Sequence, residues 1–333
     1  MSEPRSAESL PHAGEPVLDV LAFGEAIVDF FPPRPGIALR DAETFSRHSG
    51  GAPANVCVGL ARLGARAGLV TLVGPDEFGA FLRESLAREG VDVSAVGVHP
   101  TARTGITFVA VGANGERSFS FYRHASADQL VAPEHVAPAV VTRARVLHVG
   151  SSTLAREPAR SATLAAVAAA RAAGRVLSCD PNLRPHLWEA VPDAAERIRA
   201  LLVDFDLVKL AEDELGPLLG ASDAAEGAQA LRRLGVGLAV VTLGERGCWF
   251  DGATAGVGHV PGVPVEVVDT TGAGDGFVAG LLAELAAPLA TGARPGTLPR
   301  EVVERSCAFA NRVAARVVTR FGATAALPRR AEL

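Results

Sequence analysis

Between Val265 and Leu282 the chain reads VEVVDTTGAGDGFVAGLL: a β-rich run, Asp269, two threonines, Gly272-Ala273-Gly274, Asp275, and an apolar stretch of helical character. The order is strand, glycine turn, carboxylate, helix. Small residues let the main-chain amides of such a turn converge, and convergence at a helix N-terminus favours an anion. A phosphoryl group can be held there while negative charge shifts during transfer. Asp275, directly after the turn, is placed to take a proton from an attacking alcohol, a contribution of about 10²–10⁴-fold for a general base. The competing reading is a helix cap, because Asp is a favoured N-cap residue.

The elements that must position this turn come from the rest of the chain. With 333 residues, 48% of them hydrophobic, a sizeable core is expected. A net charge of −5 gives no electrostatic footprint for nucleic acid or an anionic membrane and points to a small-molecule partner. Lys209 is the only lysine, which excludes a Walker-A P-loop, and FGEAIVDFFPPRPG lacks the glycine fingerprint of a dinucleotide-binding Rossmann domain. Cys57, Cys179, Cys248 and Cys307 form no CxxC pair and read as buried free thiols rather than a metal site. Residues 1–15 lack an apolar signal-peptide core and read as a tail. Charged residues interrupt every Ala/Leu stretch, so no bilayer span and a cytoplasmic location are expected.

Val17 to Phe31 reads as one buried first strand, stopped by Pro32-Pro33. A helix from Pro53 to Leu63, a strand at GLVTLVG and a helix from Glu77 to Glu89 follow. TGITFVAV and RSFSFYR, joined by Ala113-Asn114-Gly115, read as an antiparallel hairpin. Beyond it, the strands ARVLHVG, RVLSCD, FDLVKL and GLAVVTLG alternate with Ala/Leu/Arg-rich helices, the rhythm of βαβ units and a mainly parallel sheet. The expected architecture is a three-layer α/β core, residues 16–31, 51–98 and 125–330. A small β lid of residues 32–50 and 99–124 would complete it.

DTTGAGDGF, Asp269 to Phe277, resembles the C-terminal signature of the PfkB or ribokinase-like carbohydrate kinases. GGAPANVCVGLARLGARAGLVTLVGPDEFG, Gly50 to Gly79, is similar to their N-terminal signature, and the resemblance covers about residues 17 to 328. It implies a ribokinase-like αβα fold and transfer of the γ-phosphoryl of ATP to a sugar hydroxymethyl group, with Asp275 as base and the Gly272, Ala273 and Gly274 turn receiving charge.

Carried over residue by residue, the resemblance implies that Asp29 binds sugar hydroxyls, with Gly50, Gly51 and Asn55 forming the sugar-contact loop and helix start. Arg184 of DPNLRP follows a strand's C-terminal end and would reach toward substrate or phosphate. Thr242, Gly244 and Gly247 of TLGERG would contact nucleotide, and Ala308 and Asn311 would border adenine. Lys209 and Glu214 lie where relatives carry an Asn-x-x-Glu motif serving phosphates and magnesium, but the asparagine position is Ala211 here. That departure makes Glu214 an outer organiser of Mg2+ rather than a ligand. Carbonyls near Asp269, Thr271 and Gly322 match a site that holds a monovalent cation, K+, in many relatives.

Within the family, RSFSFYRHASAD, Arg117 to Asp128, resembles fructokinases. The 2-keto-3-deoxygluconate kinases also use an arginine at Arg123 but carry a tyrosine where this chain has Phe121, which offers an acidic substrate no polar partner. Fructose leads, ahead of the ketodeoxy acid and then ribose or a nucleoside. A catalytically silent sugar-binding relative would be expected to have lost the base or the turn. The apolar alternation of TGITFVAV is compatible with a homodimer through the lid.

Overall fold

The computed structural model describes residues 17–34, 36–111, 117–203 and 205–333. In chain order the strands are β1 (Leu18–Phe23), β2 (Ile27–Phe31), β3 (Ser46–Gly50), β4 (Ala67–Val73), β5 (Val96–Val98), β6 (Ile106–Val111), β7 (Arg117–Tyr122), β8 (Ala144–Val149), β9 (Val176–Cys179), β10 (Leu207–Ala211), β11 (Leu238–Thr242), β12 (Cys248–Gly252) and β13 (Gly256–Val260). The α-helices are α1 (Ala52–Arg62), α2 (Glu77–Arg88), α3 (Pro138–Val141), α4 (Ala159–Ala172), α5 (Val191–Leu202), α6 (Glu212–Leu219), α7 (Ala224–Arg233), α8 (Ala273–Ala290), α9 (Arg300–Val318) and α10 (Ala323–Ala326).

The large sheet runs β13-β12-β11-β10-β9-β8-β1-β4-β5. It is parallel from β11 to β5, as the βαβ rhythm requires, and ends in the antiparallel pairs β11–β12 and β12–β13. Helices cover both faces. One core packs Val20, Leu69 and Val240 against Leu60, Leu281 and Val313 of α1, α8 and α9; the other packs Leu21, Leu147 and Val208 against Ala166 and Ile198 of α4 and α5. The chain runs outward from β1 through β4 on one side and from β8 through β11 on the other. That reversal opens a crevice at the strands' C-terminal ends. Glu25, Ser151, Asp180 and Thr242 stand there.

Two expectations are corrected. The run from Val17 to Phe31 is not one strand: β1 stops at Phe23, and β2 belongs to a second sheet of order β3-β2-β6-β7. Gly24 stands at the break, where a Cβ would lie 2.5 Å from the Pro53 ring. The small sheet therefore begins near residue 27 rather than 32, and β2 pairs parallel with β6 and antiparallel with β3. Val265 to Val268 is likewise no strand; the Val268 and Asp269 amides donate to the Val318 carbonyl at 2.7 and 3.2 Å, which ties this segment to the end of α9 instead of a sheet.

The β6–β7 pairing is antiparallel as expected, while its turn, Ala113-Asn114-Gly115, and residues 1–15 lie outside the described residues. The four cysteines are free and buried. Contrary to the sequence expectation, α8 has the length and apolarity of a bilayer span, but it packs between α1 and α9 and carries Asp275 and Glu284.

Candidate active site

Gly272 caps α8 in a left-handed conformation (φ +78°), where a Cβ would meet Ala323 Cα at 3.1 Å. Asp269 fixes the turn from behind. Its Oδ1 accepts from the Thr271 amide and hydroxyl at 2.9 and 2.6 Å, and its Oδ2 accepts from the Gly322 amide at 2.9 Å. The Ala273 amide donates to the Thr270 carbonyl, so of the three amides expected to converge, this one closes the turn instead.

Asp275 lies in the first turn of α8, buried, and no side chain caps that helix. The capping reading therefore fails. Its Oδ2 accepts from Asn55 Nδ2 at 2.8 Å. Burial raises its pKa to about 6; the Asn55 bond opposes this, Asp180 adds to it, and Arg184 and Lys209 pull it back. A carboxyl tuned there is ionised at neutral pH yet basic enough to take an alcohol proton.

Asp275 opens into a cavity of about 120 Å³ whose wall also holds Gly51, Asn55, Thr271 and Gly272. Asp29, on β2, faces it with a pKa raised to about 7, by burial first, against the pull of Arg123 and with Asp275 and Glu25 adding. Gly50 stands directly against the Asp29 carboxylate. Arg123 is buried and paired with Asp128, whose other oxygen accepts from Ser126 Oγ at 2.6 Å. Burial opposes its charge, but Asp128, Glu25 and Asp29 outweigh it and raise its pKa. Phe121 stacks on His186, centroids 4.1 Å apart and planes 17° from parallel. Arg184 is exposed at the rim, close enough to act on Asp275.

Glu25, His148 and Asp180 also line this cavity and were not singled out as site residues from sequence. Glu25 accepts from the Ser152 hydroxyl and from the Ala52 amide at 3.3 Å, which ties β1 to the start of α1. The signal for it was the glycine-carboxylate pair interrupting the first apolar run. Burial lowers the His148 pKa to about 4, leaving a neutral imidazole whose Nδ1 lies 3.0 Å from Ser178 Oγ.

A second cavity, of about 580 Å³, opens on the other side of the same turn. Ala273 and Gly274 contribute to it, with Thr242 at the end of β11, Gly244 and Gly247 after it, and Asn311 on α9. Asn311 Nδ2 donates to the Val260 and Pro261 carbonyls at 3.3 and 3.0 Å. The exposed Val263, Val265 and Val267 form part of the wall, which suits the flat apolar face of a base.

The profile of the pfkB family carbohydrate kinases matches residues 17–330. The chain is 41% identical over 317 residues to fructokinase-1 of Zea mays, covering 94% of this chain and 96% of that one. Among solved structures it is similar to the fructokinase of Xylella fastidiosa with bound ATP, with a TM-score of 0.84, 36% identity, and coverage of 94% and 96% of the two chains. It is also similar to the fructokinase of Vibrio cholerae O395 in its fructose, ADP and calcium ion form, with a TM-score of 0.82, 34% identity, and coverage of 95% and 97%. The chain belongs to the pfkB family of carbohydrate kinases.

In this carbohydrate kinase, two sequence expectations are displaced. Lys209 lines neither cavity: its Nζ is buried 3.1 and 3.3 Å from the Asp180 oxygens, beneath Gly274, as an internal ion pair. Ala308 packs against the core, and the nucleotide side is met by Ala314, Ala315 and Val318, about two to three turns further along α9. Glu214, expected to organise rather than bind a metal, has both carboxylate oxygens taken up by main-chain amides. Its Oε1 accepts from the Leu183 amide and its Oε2 from the Ala211 amide, both at 2.7 Å, so it pins the DPNLRP loop to the start of α6. The Asp269 carboxylate is occupied in the same way by Thr271 and Gly322, whereas the cation expectation concerns main-chain carbonyls.

Proposed function

We propose that this protein transfers the γ-phosphoryl group of ATP to a hydroxymethyl group of fructose. One observation carries the reading: a single glycine turn is shared by two cavities, with the tuned carboxylate of Asp275 on the smaller side. The sugar oxygen forms the new P–O bond as the bond to the ADP oxygen breaks, and Asp275 takes the hydroxyl proton. Asp29, Glu25 and Asp180 offer acceptors to neutral hydroxyls, and Phe121 on His186 provides a flat wall for the sugar ring.

The same three carboxylates disfavour an acidic sugar such as 2-keto-3-deoxygluconate, because the one buried cation of the cavity wall among the described residues, Arg123, is already paired with Asp128. The fructokinase names of the relatives agree with this choice. ATP is taken to enter as its magnesium complex, the metal neutralising phosphate charge while held by phosphate and water oxygens. A K+ ion beside the turn belongs to the same reading, supported by the Asp269–Gly322 bond that joins the two segments expected to hold it. So does a homodimer through the small sheet, whose outer face carries an aromatic group of Phe45, Phe108 and Tyr122, the last 68% exposed.

Sugar-dependent ADP release by the purified protein tests the reading, with kcat/KM compared for fructose, 2-keto-3-deoxygluconate, ribose and adenosine. Fructose is expected to be preferred. Another sugar ahead by about tenfold or more overturns the substrate, and no sugar-dependent release overturns the kinase.

A further inference from the structure

The end of the chain folds back over the starts of α1 and α8. Arg62, on α1, donates from Nη1 to the carbonyls of Thr324 and Leu327 at 2.9 and 2.6 Å and is held by both oxygens of Glu89. Gly322 is held by Asp269. Between these anchors, the Thr324 hydroxyl lies 2.6 Å from Asn55 Oδ1 and 2.6 Å from the Ser49 carbonyl. Asn55 in turn donates to Asp275.

We propose that Thr324 is a positioning residue for phosphoryl transfer, which sets through Asn55 the atom of that amide that faces Asp275. This rests on the reading of Asp275 as the base. A hydroxyl has one proton, and here it meets two acceptors at equal distance. With the proton on Asn55 Oδ1, the amide nitrogen must face Asp275, which suits an ionised carboxylate. With the proton on the Ser49 carbonyl, Thr324 Oγ1 is open to the amide nitrogen. Asn55 Oδ1 then faces Asp275, which suits a carboxylic acid that donates.

Neither arrangement sets donor against donor. The base thus has a partner of the right sense before it takes the sugar proton and after, at the cost of one amide rotation. The other charged groups acting on Asp275 are Asp180 and Arg184 after β9 and Lys209 on β10, with Asp29 on β2 coupled to it across the cavity. Among the described residues none of them shares a hydrogen bond with Thr324, whose hydroxyl meets only Asn55 and the Ser49 carbonyl.

The test compares Thr324→Val, which keeps shape and loses the hydroxyl, with Thr324→Ser, which keeps it. The valine variant should lose about tenfold or more in kcat while the KM values for sugar and ATP stay within about threefold. Its acidic limb of kcat should move to higher pH, because an amide no longer anchored donates less to the ionised carboxylate. The serine variant should return to within about threefold of wild type. Wild-type kcat and pH profile in the valine variant, or equal impairment in the serine variant, would overturn the proposal. If the valine variant does not fold, as judged by circular dichroism, Thr324→Ala is read by the same criteria. Wild-type protein without sugar-dependent ADP release would sink the kinase reading instead, so the two failures are distinct.

Discussion

Gly50 and Asp29 stand on adjacent strands with no room for a side chain between them: a Cβ at position 50 would lie 2.0 Å from Asp29 Oδ2 and 2.5 Å from its Cγ. The backbone of Gly50 is ordinary strand, so a methyl group is refused for space alone. Gly50→Ala should fold and swing the carboxylate out of place. The KM for sugar should rise about tenfold or more while the KM for ATP changes less than about twofold. Initial-rate kinetics in both substrates check this, and equal effects on the two would contradict it.

Replacing Asp275 by asparagine keeps the size of the side chain and removes its basicity. The variant should lose about 10²–10⁴-fold in kcat. Sugar binding measured by calorimetry should persist, since the remaining cavity wall is untouched. A variant that retains wild-type kcat would show that another group takes the proton.

Burial holds the Asp29 pKa near 7, well above its value of 3.8 in an unfolded chain, with Arg123 opposing and Asp275 and Glu25 adding. Between those values the folded protein binds the extra proton, so the contribution of Asp29 to stability is fully present below pH 3.8 and is lost as pH rises through 7. Asp29→Asn removes this dependence. In the absence of ligands its Tm should exceed that of wild type at pH 8, and the difference should shrink as the pH is lowered through that window. A difference that grows on acidification would reverse the sign and refute the assignment.

Lys209 and Asp180 form a buried pair, so Lys209→Met leaves an uncompensated carboxylate. Urea unfolding should report a loss of roughly 3–5 kcal/mol. A loss below about 1 kcal/mol, the range of an exposed pair, would show that water reaches Asp180.

The signature turn and Asp275 could be read from sequence because their residue types are demanded locally, by a sharp turn at a helix start. Asp29 was found for a partly wrong reason. The apolar run that contains it holds two strands of different sheets, and apolar periodicity does not register a change of sheet within two or three residues. Position alone suggests a nucleotide role for Lys209 and a magnesium role for Glu214, whereas their partners, Asp180 and the Leu183 and Ala211 amides, are set by folding. Thr324, near the C-terminus, meets Asn55 only in the folded chain, and no local pattern marks it. The valines at 265 and 267 read as strand because β-branched residues favour strands, but they serve as the wall of a cleft.

The glycine turn is in effect a party wall, with Thr271 and Gly272 on one side and Ala273 and Gly274 on the other. A single compound carrying a hexose and adenosine at the two ends of a phosphate chain would straddle it. Once one end is seated, the other meets its half of the cleft at an effective concentration in the millimolar range, about what a short flexible tether provides. Such a chimera would be held far more tightly than either half, and the phosphate count of the best-bound one would measure the thickness of the wall.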